Sequence, residues 1–432
     1  MDWRLQLAIV ALSIVSLLAI RMPLGFVFGV VGSAGIFLYS GLGAWTVIAQ
    51  QIHDMLSDFV LITIPLFVLI AELLSAAGFI SDMYNCIEKL MGRIRGSLAV
   101  TTIIASALFS AVCGSSYVTA ASLGRMTLPE MIGRHYDKRI AAGSVAAGGS
   151  LGILIPPSLA FVIYGYMSGA SIAALFIAGI IPGALLSLLF IVAIVVEVSL
   201  SPARAGHGKR TTLSEKVRGS YKIFPIVLLG ALMLASIYLG VTTPAEAAAI
   251  GTIISFSLCI CYRILSLHML GEALRRTIAT SGFLLLLMST AKILGFMMGK
   301  IGILYGLQAT LAHLSQWQFL FIIYLTVVVL GLFLEGTSII VLTTPIFSPA
   351  VAAAGMELVW YGVILVLFIE IALLTPPVGM NCYIVAQIGK PYGIEIKDVF
   401  RGSLPFLAGL AAAVVLVTLV PSLALWLPST MK

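Results

Sequence analysis

Two short polar runs, Gly114-Ser115-Ser116 and Gly336-Thr337-Ser338, stand inside long apolar stretches, and each is followed downstream by a proline pair, Pro156-Pro157 or Pro376-Pro377. Glycine permits a tight chain reversal. Hydroxyls serve backbone groups that a broken helix leaves unpaired, each of which costs several kcal/mol in lipid. Proline lacks an N–H and frees upstream carbonyls, so each pair predicts an unwound stretch. Freed carbonyls suit a dehydrated Na+, while the N-termini of half-helices attract an anion. Together, two tips and two proline breaks in matching positions predict a transport site. Hydrolysis would need a nucleophile and an oriented base. The five histidines (His53, His135, His207, His268 and His313) fall in expected loops or interfaces, and no Ser/Lys or paired Asp motif faces a core. The chain is therefore not expected to be an enzyme.

These residues need a scaffold, and composition says which solvent it sits in. Apolar residues make up 61% of the 432 positions and charged residues 9%, whereas a water-soluble domain carries roughly 25% charged residues. Apolar runs of about 20 residues, enough to cross a hydrocarbon core, recur from end to end. The first, Leu5 to Ile20, has no cleavage site after it and reads as a retained helix. A net charge of +7 could suggest nucleic acid. The basic residues instead cluster in short loops, the pattern that sets membrane orientation. Cys86, Cys113, Cys259, Cys261 and Cys382 are scattered without disulfide or zinc spacing.

The two tips and proline pairs recur about 220 residues apart, as do Pro23 and Pro244, so the chain reads as two copies of one unit. Lys89, Arg93 and Arg95 lie in one loop of the first copy, while the matching residues 300 to 317 hold only Lys300. The bias then reverses: residues 43 to 57 contain no Lys or Arg, whereas their partners hold Arg263, Arg275 and Arg276. The copies are inverted. Keeping basic loops cytoplasmic puts both termini in the periplasm and all five tryptophans toward that interface.

Residues 98 to 130 lie between basic stretches on the same side, yet two crossings need about 40 residues. They are expected to dip in and return, as are residues 319 to 349 from the opposite face. The expected architecture is an all-α polytopic membrane protein of two inverted-topology repeats, each with a re-entrant helical hairpin and a broken helix. The first repeat, 1–200, holds an amphipathic arm at 79–96, with Arg93 and Arg95 at phosphate level, a hairpin at 98–130 and a broken helix at 140–166. A cytoplasmic linker covers 201–222. The second repeat, 223–432, holds an arm at 300–317, a hairpin at 319–349 and a broken helix at 359–386.

At these residues a family resemblance emerges. Cys113-Gly-Ser-Ser-Tyr-Val-Thr-Ala-Ala-Ser-Leu-Gly-Arg-Met-Thr-Leu-Pro-Glu130, Leu151-Gly-Ile-Leu-Ile-Pro-Pro-Ser158, Leu334-Glu-Gly-Thr-Ser338 and Leu374-Thr-Pro-Pro-Val-Gly-Met-Asn381 resemble the large membrane subunit of TRAP (tripartite ATP-independent periplasmic) transporters. The resemblance implies an elevator-type, sodium-driven secondary transporter. It implies one Na+ site at Cys113, Ser115, Gly152, Ile155 and Pro157, largely through backbone carbonyls. Symmetry places a second at Gly336, Thr337, Ser338, Thr375 and Pro377, with Ala372 in place of the first copy's glycine. Substrate is expected at the tips, against Gly114, Ser116, Thr337 and Ser338. The implied partners are a small four-helix membrane subunit and a periplasmic substrate-binding protein that delivers a small organic anion, a carboxylate or sulfonate. The implied setting is the bacterial inner membrane.

Glu72, Glu246, Lys292, Glu335, Glu370 and Arg125 fall in apolar runs, where an ionisable residue is functional by default. Glu72 and Glu246 are expected to cap or snorkel, Glu335 to brace its tip through backbone N–H groups, and Arg125 to pair with an acid. Two other transport classes share the hairpin plan: an ion channel, against which the dissimilar halves argue, and a sodium/dicarboxylate symporter that works without a binding protein.

Overall fold

The computed structural model describes residues 2–92, 94–206, 224–311, 313–331 and 333–431; Arg93, His207, linker residues 207–222 and Lys432, all of which carried expectations, lie outside the described residues. In lipid every backbone polar group must be satisfied within the chain, and helices do this segment by segment. The regular elements are accordingly helical throughout. The first repeat runs α1 (Trp3–Ala19), α2 (Leu24–Ser40), α3 (Ala44–Leu56), α4 (Thr63–Ala76), α5 (Phe79–Met91), α6 (Ser97–Cys113), α7 (Ser116–Gly133), α8 (Lys138–Ser150), α9 (Leu159–Ser168) and α10 (Ile172–Leu200). The second runs α11 (Phe224–Tyr238), α12 (Pro244–Cys261), α13 (Leu267–Lys300), α14 (Ile303–Leu311), α15 (Gln316–Gly331), α16 (Gly336–Ala353), α17 (Leu358–Leu374), α18 (Met380–Gly389), α19 (Ile396–Leu419) and α20 (Ser422–Ser429). Seven helical stretches among the described residues are long and apolar enough to span a membrane.

Each repeat holds a helical hairpin, α6–α7 or α15–α16, and a broken helix, α8–α9 or α17–α18. The 17 residues of α6 and 16 of α15 fall short of the roughly 20 that a full crossing needs. Packing is two-fold. Arm α7 lies on α18 while its counterpart α16 lies on α9, and α2 packs on α13 as α12 packs on α4. Two hydrogen bonds fix the inversion. Lys138 Nζ, at the α7–α8 turn, donates to Gly393 O beyond the end of α18. Tyr164 Oη, near the end of α9, donates to Leu358 O at the α16–α17 turn. Because α8 and α9 cross between those two ends, the equivalent turns lie on opposite sides.

The arms are shorter than expected. Gly92, with φ of +65°, stops α5 at Met91, and α13 continues to Lys300, leaving only Ile303–Leu311 for α14. The amphipathic reading of α5 holds: Phe79, Ile80, Met83, Tyr84 and Ile87 are buried on one face. Its buried Glu88 accepts from Arg134 at 2.6 Å, and Arg134 also binds Glu130, so the arm is clamped to the end of α7. Trp45, Trp317 and Trp426 are exposed as interfacial anchors should be, but Trp360 is buried, donating to Val417 O at 2.9 Å.

Candidate functional site

Helix α6 stops because Gly114 adopts φ of +62°, a left-handed conformation that costs a side-chain-bearing residue. Ser115 is extended, and its carbonyl accepts from Thr119 N at 3.1 Å to start α7. Across from this tip, α8 ends at Ser150, tightens through a 3-10 turn at Leu151–Ile153, and unwinds before α9. Ser158 Oγ holds the break by donating to Ile153 O at 2.6 Å. The tip sits directly on the break: a Cβ on Gly152 would fall 2.6 Å from Ser115 O, and one on Gly114 would fall 3.1 Å from Pro157 O. Cys113, Gly114, Ser115, Gly152 and Pro157 are thus brought together, with the Ile155 side chain turned against Gly183 of α10. The tip and the break meet backbone to backbone, with Ser115 O and Pro157 O at the junction, and neutral carbonyl oxygens of this kind suit a dehydrated Na+.

The second tip is built on a different register. Ser116 and Gly336 open α7 and α16, and Glu335 O accepts from Ile339 N as Ser115 O does from Thr119 N. Glu335, not Gly336, therefore stands where Ser115 stands, and the Gly-Thr-Ser run matched from sequence lies two residues further into the helix. Thr337 still reaches the tip cavity, whereas Ser338 is buried and donates to Glu335 Oε1 at 3.3 Å. That hydroxyl, rather than backbone N–H groups, is what Glu335 holds. Thr375 Oγ1 donates to Ile371 O at 2.6 Å, and Pro376 and Pro377 are exposed. The second set is therefore spread differently about its tip: Gly336 and Thr337 line the cavity, while Ser338 and Thr375 are engaged within their own segments. The glycine has changed sides as well: a Cβ on Gly331 of the hairpin would strike Ala372 of the broken helix.

The two tips meet. Gly336 N donates to Tyr117 Oη at 3.3 Å, and both tips open into one cavity of about 200 Å3. Gly114, Ser115, Ser116, Glu335, Gly336 and Thr337 line it, with Glu72 and Thr280 contributed by α4 and α13. Glu72 is thus not merely a cap: it faces the cavity, with Arg276 3.8 Å away. Glu246 does cap α12, in a reciprocal box with Thr243. Arg125 is exposed and has no acid partner among the described residues, and Lys292 lies 6.0 Å over the Tyr166 ring. Sequence reasoning gave no role to Tyr117 or Glu370. Glu370 is fully buried and accepts from Ser116 Oγ at 2.5 Å. Its intramembrane position was the available signal.

The chain is similar to known proteins over nearly its whole length. The chain matches the family described as the tripartite ATP-independent periplasmic transporter, DctM component, over residues 11–423. It is 32% identical to the sialic acid TRAP transporter large permease protein SiaM of Vibrio cholerae, covering 95% of this chain and 96% of that one. It is 31% identical to the C4-dicarboxylate TRAP transporter large permease protein DctM of Pseudomonas aeruginosa, covering 93% of each. A fused relative, the isethionate TRAP transporter permease protein DctMQ of Oleidesulfovibrio alaskensis, is 29% identical, covering 87% of this chain and 59% of that one. Among solved structures, the YdaH transporter of Alcanivorax borkumensis shares the fold with a TM-score of 0.59 at 15% identity, over 87% of this chain and 88% of that one. The chain therefore belongs to the DctM component family, the large permease subunits of TRAP transporters.

Proposed function

We propose that this subunit imports a small organic anion, a carboxylate or sulfonate, by sodium-coupled elevator transport. A periplasmic binding protein delivers the anion, and a small four-helix membrane subunit completes the permease. The observation that carries this reading is the meeting of the two hairpin tips in one cavity, each against a proline-broken helix. Cys113, Ser115, Gly152, Ile155 and Pro157 hold the first ion through carbonyl oxygens, and a second ion lies near Gly336, Thr337, Ser338, Thr375 and Pro377, displaced from strict two-fold symmetry by the register of the second tip. Bound Na+ supplies positive charge beside the substrate and the energy of its gradient. Substrate lies against Gly114, Ser116, Thr337 and Ser338, where the first backbone N–H groups of α7 and α16 and the Thr337 hydroxyl act as donors in a helix-terminal field. The two hairpins and broken helices move together against α2, α4, α12 and α13. The chain sits in the bacterial inner membrane with a cytoplasmic linker and periplasmic termini.

Proteoliposomes holding this chain and its small-subunit partner, under an inward Na+ gradient, test the reading with labelled sialic acid, succinate and isethionate as probes. Uptake that requires both Na+ and the loaded binding protein is the expected result. Na+-driven uptake without the binding protein would favour a stand-alone symporter, and Na+-independent uptake would refute the coupling.

A further inference from the structure

Glu370 lies on α17 about one turn before the second break and is completely buried. Its Oε1 accepts from Ser116 Oγ, its Oε2 has no partner, and no Lys or Arg among the described residues pairs with it. A charge buried without a counter-ion is expensive. The first ion set has the opposite deficit, because Cys113, Ser115, Gly152, Ile155 and Pro157 offer only neutral oxygens, and the two acids of the adjoining cavity are engaged elsewhere, Glu72 with Arg276 at 3.8 Å and Glu335 with Ser338 at 3.3 Å. The two deficits adjoin: Ser116, the residue bound to Glu370, follows Ser115, and its Cα lies 2.8 Å from where a Gly152 Cβ would be.

Asn381, at the start of α18 just beyond the second break, is a second buried orphan. It is fully buried and neither amide atom has a partner. Helices α7 and α18 both run from a break toward the Lys138–Gly393 end, and Ile388 Cδ1 lies 3.5 Å from a Cβ built on Gly124. Asn381 lies about two turns before Ile388 on the same face of α18, the helix that packs on α7.

We propose that Glu370 is the counter-charge for the Na+ of the first set. It is a positioning residue, supplied by the second repeat, that acts across the pseudo-symmetry axis through Ser116. Occupancy of the ion site then fastens α17 to the start of α7, joining both repeats into one moving body. This rests on the sodium-coupled reading above.

Thermal unfolding of the purified two-subunit complex, titrated with Na+ against a K+ control, tests it without any uptake step. The wild-type midpoint should rise with Na+. In Glu370→Gln the Na+ concentration for half the effect should rise by about tenfold or more, while in Na+-free buffer the variant should melt no lower than wild type, because an uncompensated charge is gone. Glu370→Asp should recover part of the Na+ response. Ser116→Ala, which keeps the carboxylate but cuts its link, should weaken the response less than Glu370→Gln, and serves if that variant does not fold. A wild-type Na+ response in Glu370→Gln, or in Ser116→Ala where Glu370→Gln cannot be made, overturns the proposal. So does a Glu370→Gln midpoint lowered equally with and without Na+, which marks a purely structural role. A wild type with no Na+ response overturns the sodium site itself.

Discussion

Adding one methyl at Gly152 should weaken sodium dependence more than it weakens the fold. The new Cβ would lie 2.6 Å from Ser115 O, 2.7 Å from Ser115 C and 2.8 Å from Ser116 Cα, where ordinary contact begins at 3.4 Å. All three are backbone atoms, so no side chain can rotate aside and the tip must retreat by about 0.8 Å. Ligand distances in a metal site tolerate about 0.2 Å, so the retreat takes Ser115 O out of reach. Overpacking a tight interior costs about 1–3 kcal/mol. At 1.4 kcal/mol per tenfold, that is a rise of about 5- to 150-fold in the Na+ concentration giving half-maximal uptake. The assay is Na+-titrated uptake in proteoliposomes. Gly282→Ala is the control, since a Cβ there meets nothing within 4 Å, and its Na+ dependence should equal that of wild type. If Gly152→Ala also equals wild type, the tip and the break do not form an ion site together.

Two further substitutions probe how the hairpins are held. Tyr117→Phe removes the acceptor for Gly336 N and should cost about 1 kcal/mol, read as an apparent substrate affinity about fivefold weaker at unchanged Na+ half-saturation; equal affinity would mean that the tips act independently. Arg134→Ala leaves Glu88 and Glu130 facing each other where arm α5 meets α7, and should lower stability by about 3 kcal/mol. A thermal midpoint unchanged from wild type would show that the clamp holds nothing.

Much of the architecture was legible because lipid leaves the chain few choices. Run length, basic loops and paired prolines mark the spans, their inversion and the breaks, since each reflects a cost that every residue in the bilayer meets. The elements that failed to follow were those set by local backbone detail. Gly92 ends the first arm early, and the second arm is shorter still because α13 runs on to Lys300, past the point that matches the end of α4 at Ala76. Trp360 is packed inside the protein, where Val417 O offers its indole N–H a partner, which composition alone does not reveal.

The tip register shows why matched motifs can mislead at the residues that matter most. Gly114-Ser115-Ser116 and Gly336-Thr337-Ser338 look equivalent, yet the helices they open start at Ser116 and Gly336, so the extended residue at each tip is Ser115 in one repeat and Glu335 in the other. Close approach survives by a different route in each copy. The first repeat places the missing methyl on the broken helix at Gly152, and the second on the hairpin at Gly331 opposite Ala372. The acids have no such symmetry. Glu370 aligns with Ser150 and binds a serine 254 positions away, so no spacing rule within one repeat could have paired them. In the proposed ion site the first repeat thus supplies the neutral cradle and the second the buried carboxylate bound to its neighbouring serine, so that a cation and its counter-charge would come from opposite repeats.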